Sequence, residues 1–186
     1  MSEELIIKHA APTLAGIKTG NIFNCKYDDK ATLMADLREL NRKLRAKGLC
    51  IIPLRVGGNT ALLYLYRPAM LQADLSGQEA GEILRRMGYS GNEPARCIVE
   101  LSRRICCAGK GTFPHEVGLF ISYPPEDVVG FMENKAASSK CVCAWKVYGD
   151  EEKARATLCR YQKAVRAFEK CWRRGMSLQE LAVAIK

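Results

Sequence analysis

No stretch of this chain approaches the roughly 20 consecutive apolar residues that a bilayer-spanning helix requires, so no membrane span is expected. The opening Met1-Ser2-Glu3-Glu4 is acidic and lacks the basic-then-apolar order of a secretory signal. A cytoplasmic location is the corresponding expectation. Cys-x-x-Cys, the usual spacing of zinc and iron–sulfur ligands, does not occur, and no metal site is expected. Gly109-Lys110-Gly111-Thr112 lacks the full Gly-x-x-x-x-Gly-Lys-Ser/Thr frame and follows a helix where a phosphate loop precedes one. Neither a helix-turn-helix nor an RNA-binding aromatic signature is evident, so any nucleic-acid reading rests on charge alone. Internal repeats, low-complexity tracts and interdomain linkers are absent as well.

What the chain does have is bulk for a core. With 186 residues, 48% hydrophobic and 26% charged, it fits one ordered domain, with residues 150–186 as a C-terminal helical segment. Nine cysteines are spread through helical and strand-like segments, an odd number that argues against a secreted disulfide scaffold. Most are expected to be reduced thiols packed as small apolar groups. The net charge of +9 is uneven, since residues 151–186 carry nine Lys or Arg against four Glu. Such a surface can attract nucleic acid or an acidic protein, or it can be a solvated cationic face.

The local patterns predict an α/β (or α+β) domain of about five strands and six or seven helices. A short N-terminal helix should stop near Pro12, and a strand should follow over residues 21–27. Leu33, Leu37, Leu40 and Leu44 recur at helical spacing, with Arg38, Arg42 and Arg45 opposite and Gly48 as terminator. The clearest signal is a central β-hairpin, Cys50–Arg55 and Ala61–Tyr66, around Gly57-Gly58-Asn59. Pro53 cannot donate to a ladder, so its strand should be an edge or carry a bulge. The unbroken apolar run of the second strand predicts that both of its faces are covered. Ser76-Gly77-Gln78-Glu79 reads as a capping box for a helix to Met87, and Asn92-Glu93-Pro94 opens another that buries Ile98, Leu101 and Ile105. Strands are expected over 116–122 and 140–148, with a helix from Pro124-Pro125 to Asn134 between them. A long helix over 151–174 and a last one capped by Ser177 and Glu180 should pack on the sheet.

Reactive and recognition side chains concentrate between Phe113 and Tyr148. His115 could act as a general base or acid, since its ordinary pKa lies near neutrality. Glu116 beside it would point to the opposite face of an extended strand. Glu126 and Asp127 fall in a first helical turn, where carboxylates complement the helix dipole. Tyr123, at a strand-to-helix junction, is the better pocket candidate, because α/β folds place ligands there. Cys141 and Cys143 should share one strand face with Trp145, their alternate positions roughly 6–7 Å apart and so too far for an easy disulfide. Lys146 and Tyr148, on the other face, could anchor a phosphate or carboxylate. Arg67, directly after the hairpin, could supply a second anion anchor.

These motifs resemble those of an uncharacterised bacterial family, seen largely in anaerobes and classed as a domain of unknown function. The resemblance is carried by Leu63-Tyr64-Leu65-Tyr66-Arg67-Pro68, Phe113-Pro114-His115-Glu116-Val117-Gly118-Leu119-Phe120, Tyr123-Pro124-Pro125-Glu126-Asp127-Val128, Gly130-Phe131 and Trp145-Lys146-Val147-Tyr148-Gly149. Two positions depart from it. Ser122 stands where the family's Gly-Tyr-Pro run would have glycine, and Ala136-Ala137 replaces an expected glycine turn after Asn134-Lys135. The resemblance implies no known activity; an association with iron or flavin redox metabolism is all that it suggests.

The resulting expectation is a small-molecule or cofactor site built from His115 and Glu116 as acid–base candidates, with Arg67, Tyr123, Trp145, Lys146 and Tyr148 as ligand-binding candidates. The cofactor is unspecified, and the site could serve an enzyme on an anionic substrate or a redox- or iron-linked accessory protein that only binds. The alternative is a non-enzymatic module whose basic helix faces (Arg38, Arg42, Arg45, Lys163, Arg166, Lys170) bind nucleic acid or an acidic partner protein.

Overall fold

A computed structural model describes residues 2–109 and 113–185; Lys110-Gly111-Thr112, the core of the glycine-rich segment, lie outside the described residues. The fold is α/β, with five strands and nine α-helices among the described residues, two of the helices only four residues long. None of these helices is long and apolar enough to cross a membrane. The chain divides into two compact units, residues 1–70 with 163–186 and residues 71–162.

The first unit is a three-stranded antiparallel sheet with helices packed on it. Its strands β1 (Gly20–Lys26), β2 (Cys50–Gly57) and β3 (Thr60–Tyr66) lie in the order β1-β3-β2. The hairpin turn is Gly58-Asn59, with φ of 58° and 59°, the doubly left-handed geometry whose twist matches the flanking strands. Pro53 falls on the edge strand, and the register slips between Pro53 and Arg55, as a residue without an amide proton demands. Central β3 is buried at five consecutive positions, Ala61 to Leu65, which accounts for its unbroken apolar run.

Helices α1 (Glu3–Leu14) and α2 (Lys30–Leu44) bury Ile6, Ile7, Leu37 and Leu44 into the same core as Phe23, Leu63 and Leu65. Two details differ from expectation in α1 and α2. The first helix runs through Pro12 to Leu14, and the second tightens into a 3-10 turn at Arg45–Lys47 before Gly48 closes it at φ 69°. Asn41 of α2 clips the exposed edge of β2, accepting from the Ile51 amide and donating to its carbonyl, both at 2.8 Å. The second half of α8 (Glu151–Arg173) lends Phe168 and Trp172 to this core, and α9 (Leu178–Leu181) adds Leu178 and Leu181 behind a complete Ser177/Glu180 capping box.

The second unit is mainly helical: α3 (Pro68–Ser76), α4 (Gln78–Arg86), α5 (Pro94–Cys107), α6 (Val117–Phe120) and α7 (Pro125–Glu133), with the start of α8. Three expectations fail here. Ser76 does not cap α4, because it is the last residue of α3, a helix announced only by Pro68 at its first position; Gly77 takes the cap position without a side-chain bond. Residues 117–120 are helical where a strand was expected. A short apolar run fits either element, and here adjacent Leu119 and Phe120 are both buried, which alternation on a strand would not allow with one face covered. Finally, 140–148 is not one strand but a tight hairpin of β4 (Cys141–Val142) and β5 (Lys146–Val147).

Candidate functional site

The centre of the second unit is Asp127, in the first turn of α7 and 3% exposed. One carboxylate oxygen accepts from the Tyr148 and Gly149 amides at 2.6 and 2.8 Å, and the other accepts the Trp145 indole N–H at 2.6 Å. The carboxylate expected to serve the helix dipole therefore also holds the β4–β5 hairpin against α7. Two glycines permit the close approach. A β-carbon on Gly130 would lie 2.4 Å from the Tyr148 ring, and one on Gly118 would lie 2.7 Å from Val128.

This docking forms a half-open cavity of about 310 Å³ lined by His115, Gly118, Tyr123, Val128, Phe131, Val142, Trp145 and Lys146, with Asp127 in its wall. The Tyr123 and Trp145 rings stack with centroids 4.8 Å apart, and His115 meets Phe131 edge-on at 4.9 Å. Tyr123 donates to the Ala144 carbonyl at 3.1 Å, and burial raises its hydroxyl's pKa. Lys146 donates to the carbonyl of Ala136, whose own backbone is left-handed at φ 65°. His115 and Val142 are exposed at the rim. Among the described residues, no hydrogen bond engages the His115 imidazole.

The polar groups available to an occupant follow by elimination. Both oxygens of Asp127 are committed, and the walls are aromatic or aliphatic. Among the described side chains that leaves the imidazole of His115 and the ammonium of Lys146, which keeps two N–H donors beyond the one given to Ala136, both at one apolar cavity. A cavity of this make-up suits a small, largely apolar molecule with a single anionic end, since pockets owe their affinity to apolar walls and their orientation to a few polar groups.

His115, Tyr123, Trp145 and Lys146 thus meet at one place, although the strand expected to separate Trp145 from Lys146 does not exist. The other candidates lie elsewhere. Glu116 is fully buried and faces away from the cavity, accepting from Tyr89 at 3.1 Å and from Arg104 at 3.3 Å. Arg104 also pairs with Glu100 at 2.7 Å, bonds the Met87 carbonyl, and lies 4.5 Å over the Tyr89 ring. Its hydrogen bonds with Arg103 and Arg104 hold Glu100 down to about 2, while burial and then the Glu116 charge push Tyr89 far up. Among the described residues, the second Glu116 oxygen is buried without a hydrogen-bond partner. Tyr148 packs its ring on Gly130 and donates to the Ala137 carbonyl at 3.0 Å.

Arg67, in the first unit, is 1% exposed rather than solvent-facing. Four of its five N–H donors go to backbone carbonyls: Thr13 at 2.7 Å, Leu14 and Lys47 at 2.9 Å, and Val183 at 2.7 Å. It ties the ends of α1, the α2 turn and the C-terminal segment together, which leaves it little capacity for an anion.

The two departures from the family pattern also find a physical setting. Ser122 and Ala136 both have left-handed backbone, φ 64° and 65°, the conformation for which glycine is the ordinary choice. Sequence reasoning missed the tethering role of Asp127; the only signal was its spacing from Trp145, which local rules do not read. Among the described residues, no three His, Cys, Asp or Glu side chains are grouped to hold a metal ion.

No curated protein and no solved structure matches the chain. A family model does, over residues 6–182, nearly the whole length. The chain belongs to that family, described as a protein of unknown function, DUF3793.

Proposed function

We propose that this protein binds a small, largely apolar anion, such as an aromatic or short acyl carboxylate, in the cavity walled by Tyr123, Phe131 and Trp145. The His115 imidazole and the Lys146 ammonium take its charged end. The single observation that carries the reading is the convergence of these two donors on one apolar cavity of about 310 Å³, the small end of the range for ligand pockets. His115, exposed at the rim, is also the group able to exchange a proton with a bound molecule, so the reading extends to acid–base chemistry on the ligand. We take the compartment to be the cytoplasm, where most of the nine free cysteines stay reduced.

The test is titration with a panel of flat aromatic and short acyl carboxylates, 2-naphthoate among them, read by tryptophan emission. His115→Ala and Lys146→Met should each weaken the best binder by about tenfold, the scale of one charge-assisted hydrogen bond, with far-UV circular dichroism unchanged. Equal affinity in wild type and both variants would overturn the assignment.

A second reading draws on exposed cations of the first unit, Lys163, Arg166 and Lys170 on α8, Arg38 on α2 and Arg45 in the 3-10 turn after it. It makes the chain a module for nucleic acid or an acidic protein. Arg42, the remaining cation of that set, is spent on Glu39 at 2.7 Å. Polyanion binding would weaken steeply with added salt, whereas the cavity ligand would not.

A further inference from the structure

Cys141 and Cys143 sit on the hairpin that forms one wall of the cavity. On an extended strand their side chains would stand roughly 6–7 Å apart. The strand ends at Val142, however, and the chain bends through Cys143-Ala144, so the two sulfurs come to 4.0 Å. The bend is fixed on both sides. The backbone amide of Cys143 donates to the Trp145 carbonyl and that of Lys140 to the Val147 carbonyl, each at 2.8 Å, and Asp127 holds the far end. Both thiols are half-buried. Arg155 of α8, ion-paired to Glu151 at 3.2 Å, lies close enough that first Glu151 and then the Cys141 charge keep its guanidinium pKa up. The Arg155 charge offsets only part of the burial and the Glu151 charge that raise the Cys141 pKa, so the pair rests on the sulfur geometry.

The other cysteines adjacent in sequence, and the buried ones, are placed differently. Cys106 and Cys107 are neighbours in sequence on α5, and consecutive helical side chains do not face each other. Cys25 and Cys97 are buried singly.

The geometry points to Cys141 and Cys143 as a reversible dithiol–disulfide pair, oxidised by exchange with a small-molecule disulfide. One thiolate attacks a sulfur of the small disulfide, whose S–S bond breaks and releases one thiol. The second thiolate then attacks the protein sulfur of the mixed disulfide, forming the Cys141–Cys143 bond and releasing the other thiol. Two electrons pass from the protein to the small disulfide, and the two protons end on the released thiols. Closing the bond shortens the sulfur separation by about 2 Å and strains a ring spanning one intervening residue. Strained disulfides have more oxidising potentials and serve as the labile, regulatory ones. Burial, then the Cys143 thiol and the Glu151 carboxylate, raise the Cys141 pKa against the smaller opposing effect of Arg155, so exchange quickens as the solution becomes more alkaline.

The consequence for the cavity rests on the function proposed above. Val142, between the two cysteines, stands 70% exposed at the rim, and Trp145 and Lys146 follow on the same hairpin. Ring closure re-aims Val142 and changes access for the ligand.

The experiment equilibrates the full chain in buffers of graded reduced-to-oxidised glutathione ratio, quenches in acid, blocks free thiols with N-ethylmaleimide and digests with trypsin. Cleavage after Lys140 and Lys146 releases Cys141–Lys146 as one peptide. It should pass from doubly labelled to unlabelled and lighter by two hydrogens in one reversible step, reset by dithiothreitol. Cys143→Ser should stop at a glutathione adduct on Cys141. A peptide that stays doubly labelled at the oxidised extreme, or collects glutathione on both sulfurs, overturns the pairing. In a second arm, 2-naphthoate affinity should differ at least threefold between the two forms. Ring formation with unchanged affinity would overturn the coupling to the cavity, whereas absence of naphthoate binding by either form would tell against the cavity and leave the mass result standing.

Discussion

Replacing Asp127 with asparagine keeps the size of the side chain and removes its charge, and the geometry fixes what must go wrong. The carboxylate accepts three N–H groups, two backbone and one indole, at 2.6 to 2.8 Å. An amide has one accepting oxygen and one donating nitrogen, so in either orientation N–H points at N–H. The better choice turns the oxygen to the Tyr148 and Gly149 amides and sets the amide nitrogen against the Trp145 indole. One bond is lost, a donor on each side is stranded, and the two remaining bonds lose their charge. Hydrogen bonds to a charged group contribute roughly 1.5–3 kcal/mol, and an orphaned buried donor costs about 1–3 kcal/mol. Trp145 is only 7% exposed, so water cannot replace the acceptor in place. We expect Asp127→Asn to destabilise the docked hairpin by about 3 kcal/mol.

The measurement uses a Trp172→Phe background, so that emission reports Trp145 alone, and compares urea unfolding with and without Asp127→Asn. The variant should show a red-shifted Trp145 signal at lower urea than the loss of helical circular dichroism, because the hairpin can detach before the helices melt. In a Trp145→Phe background the same substitution should cost less by about 1–2 kcal/mol, the coupling expected of partners in one hydrogen-bonded network. If Asp127→Asn lies within about 0.5 kcal/mol of its parent, the scale of an ordinary surface substitution, and leaves Trp145 emission unchanged, the tethering argument is wrong.

Two further substitutions test other parts of the molecule. Burial lowers the Lys18 ammonium from 10.5 to about 8. Below pH 8 both states hold the proton and the folded protein bears the full burial cost, whereas between pH 8 and 10.5 only the unfolded state is protonated and stability from this group rises. Lys18→Met should therefore be more stable than wild type by about 2 kcal/mol at pH 7, the size of the shift less the polar interaction the side chain gives up, with the gap closing toward pH 10.5 in paired urea melts; a gap independent of pH would refute it. Ala136 holds φ 65°, where a β-carbon costs roughly 1–2 kcal/mol. Ala136→Gly, less the entropy glycine adds to the unfolded chain, should stabilise by about 0.5 kcal/mol and raise the melting temperature by roughly 1–2 °C; a lower melting temperature would mean the turn is not strained.

The elements legible in the sequence are those whose cause is local. Gly58-Asn59 specifies its turn by backbone torsion alone, Pro53 names its own edge strand, and Ser177 and Glu180 satisfy each other's amides within one turn of helix. The leucine row of α2 likewise needs nothing beyond its spacing. The failures share the opposite property. Ser76-Gly77-Gln78-Glu79 has the composition of a capping box, but Pro68 starts an earlier helix that reaches Ser76 and takes it out of the cap position. Val117 to Ile121 carries no period to separate strand from helix, and the outcome was set by where Leu119 and Phe120 could be buried together.

The site was legible as a list and illegible as a geometry, and Asp127 explains why. Its place in a first helical turn satisfies the helix-dipole rule completely, so local reasoning has nothing left to explain and stops there. The two backbone amides and the indole it also serves lie 18 to 22 residues further on, in a segment whose own pattern reads as a plain strand. Only the buried acid turns that segment into a docked hairpin. Once docked, the bend brings Trp145 and Lys146, which strict alternation would send to opposite faces, onto one cavity with His115 and Tyr123, and it brings the two thiols to 4.0 Å. One long-range carboxylate thus decides both the pocket and the dithiol. It follows that Asp127→Asn should loosen both together, weakening naphthoate binding and slowing disulfide closure in the same protein; a variant that lost one and kept the other intact would show that the hairpin is held by something else.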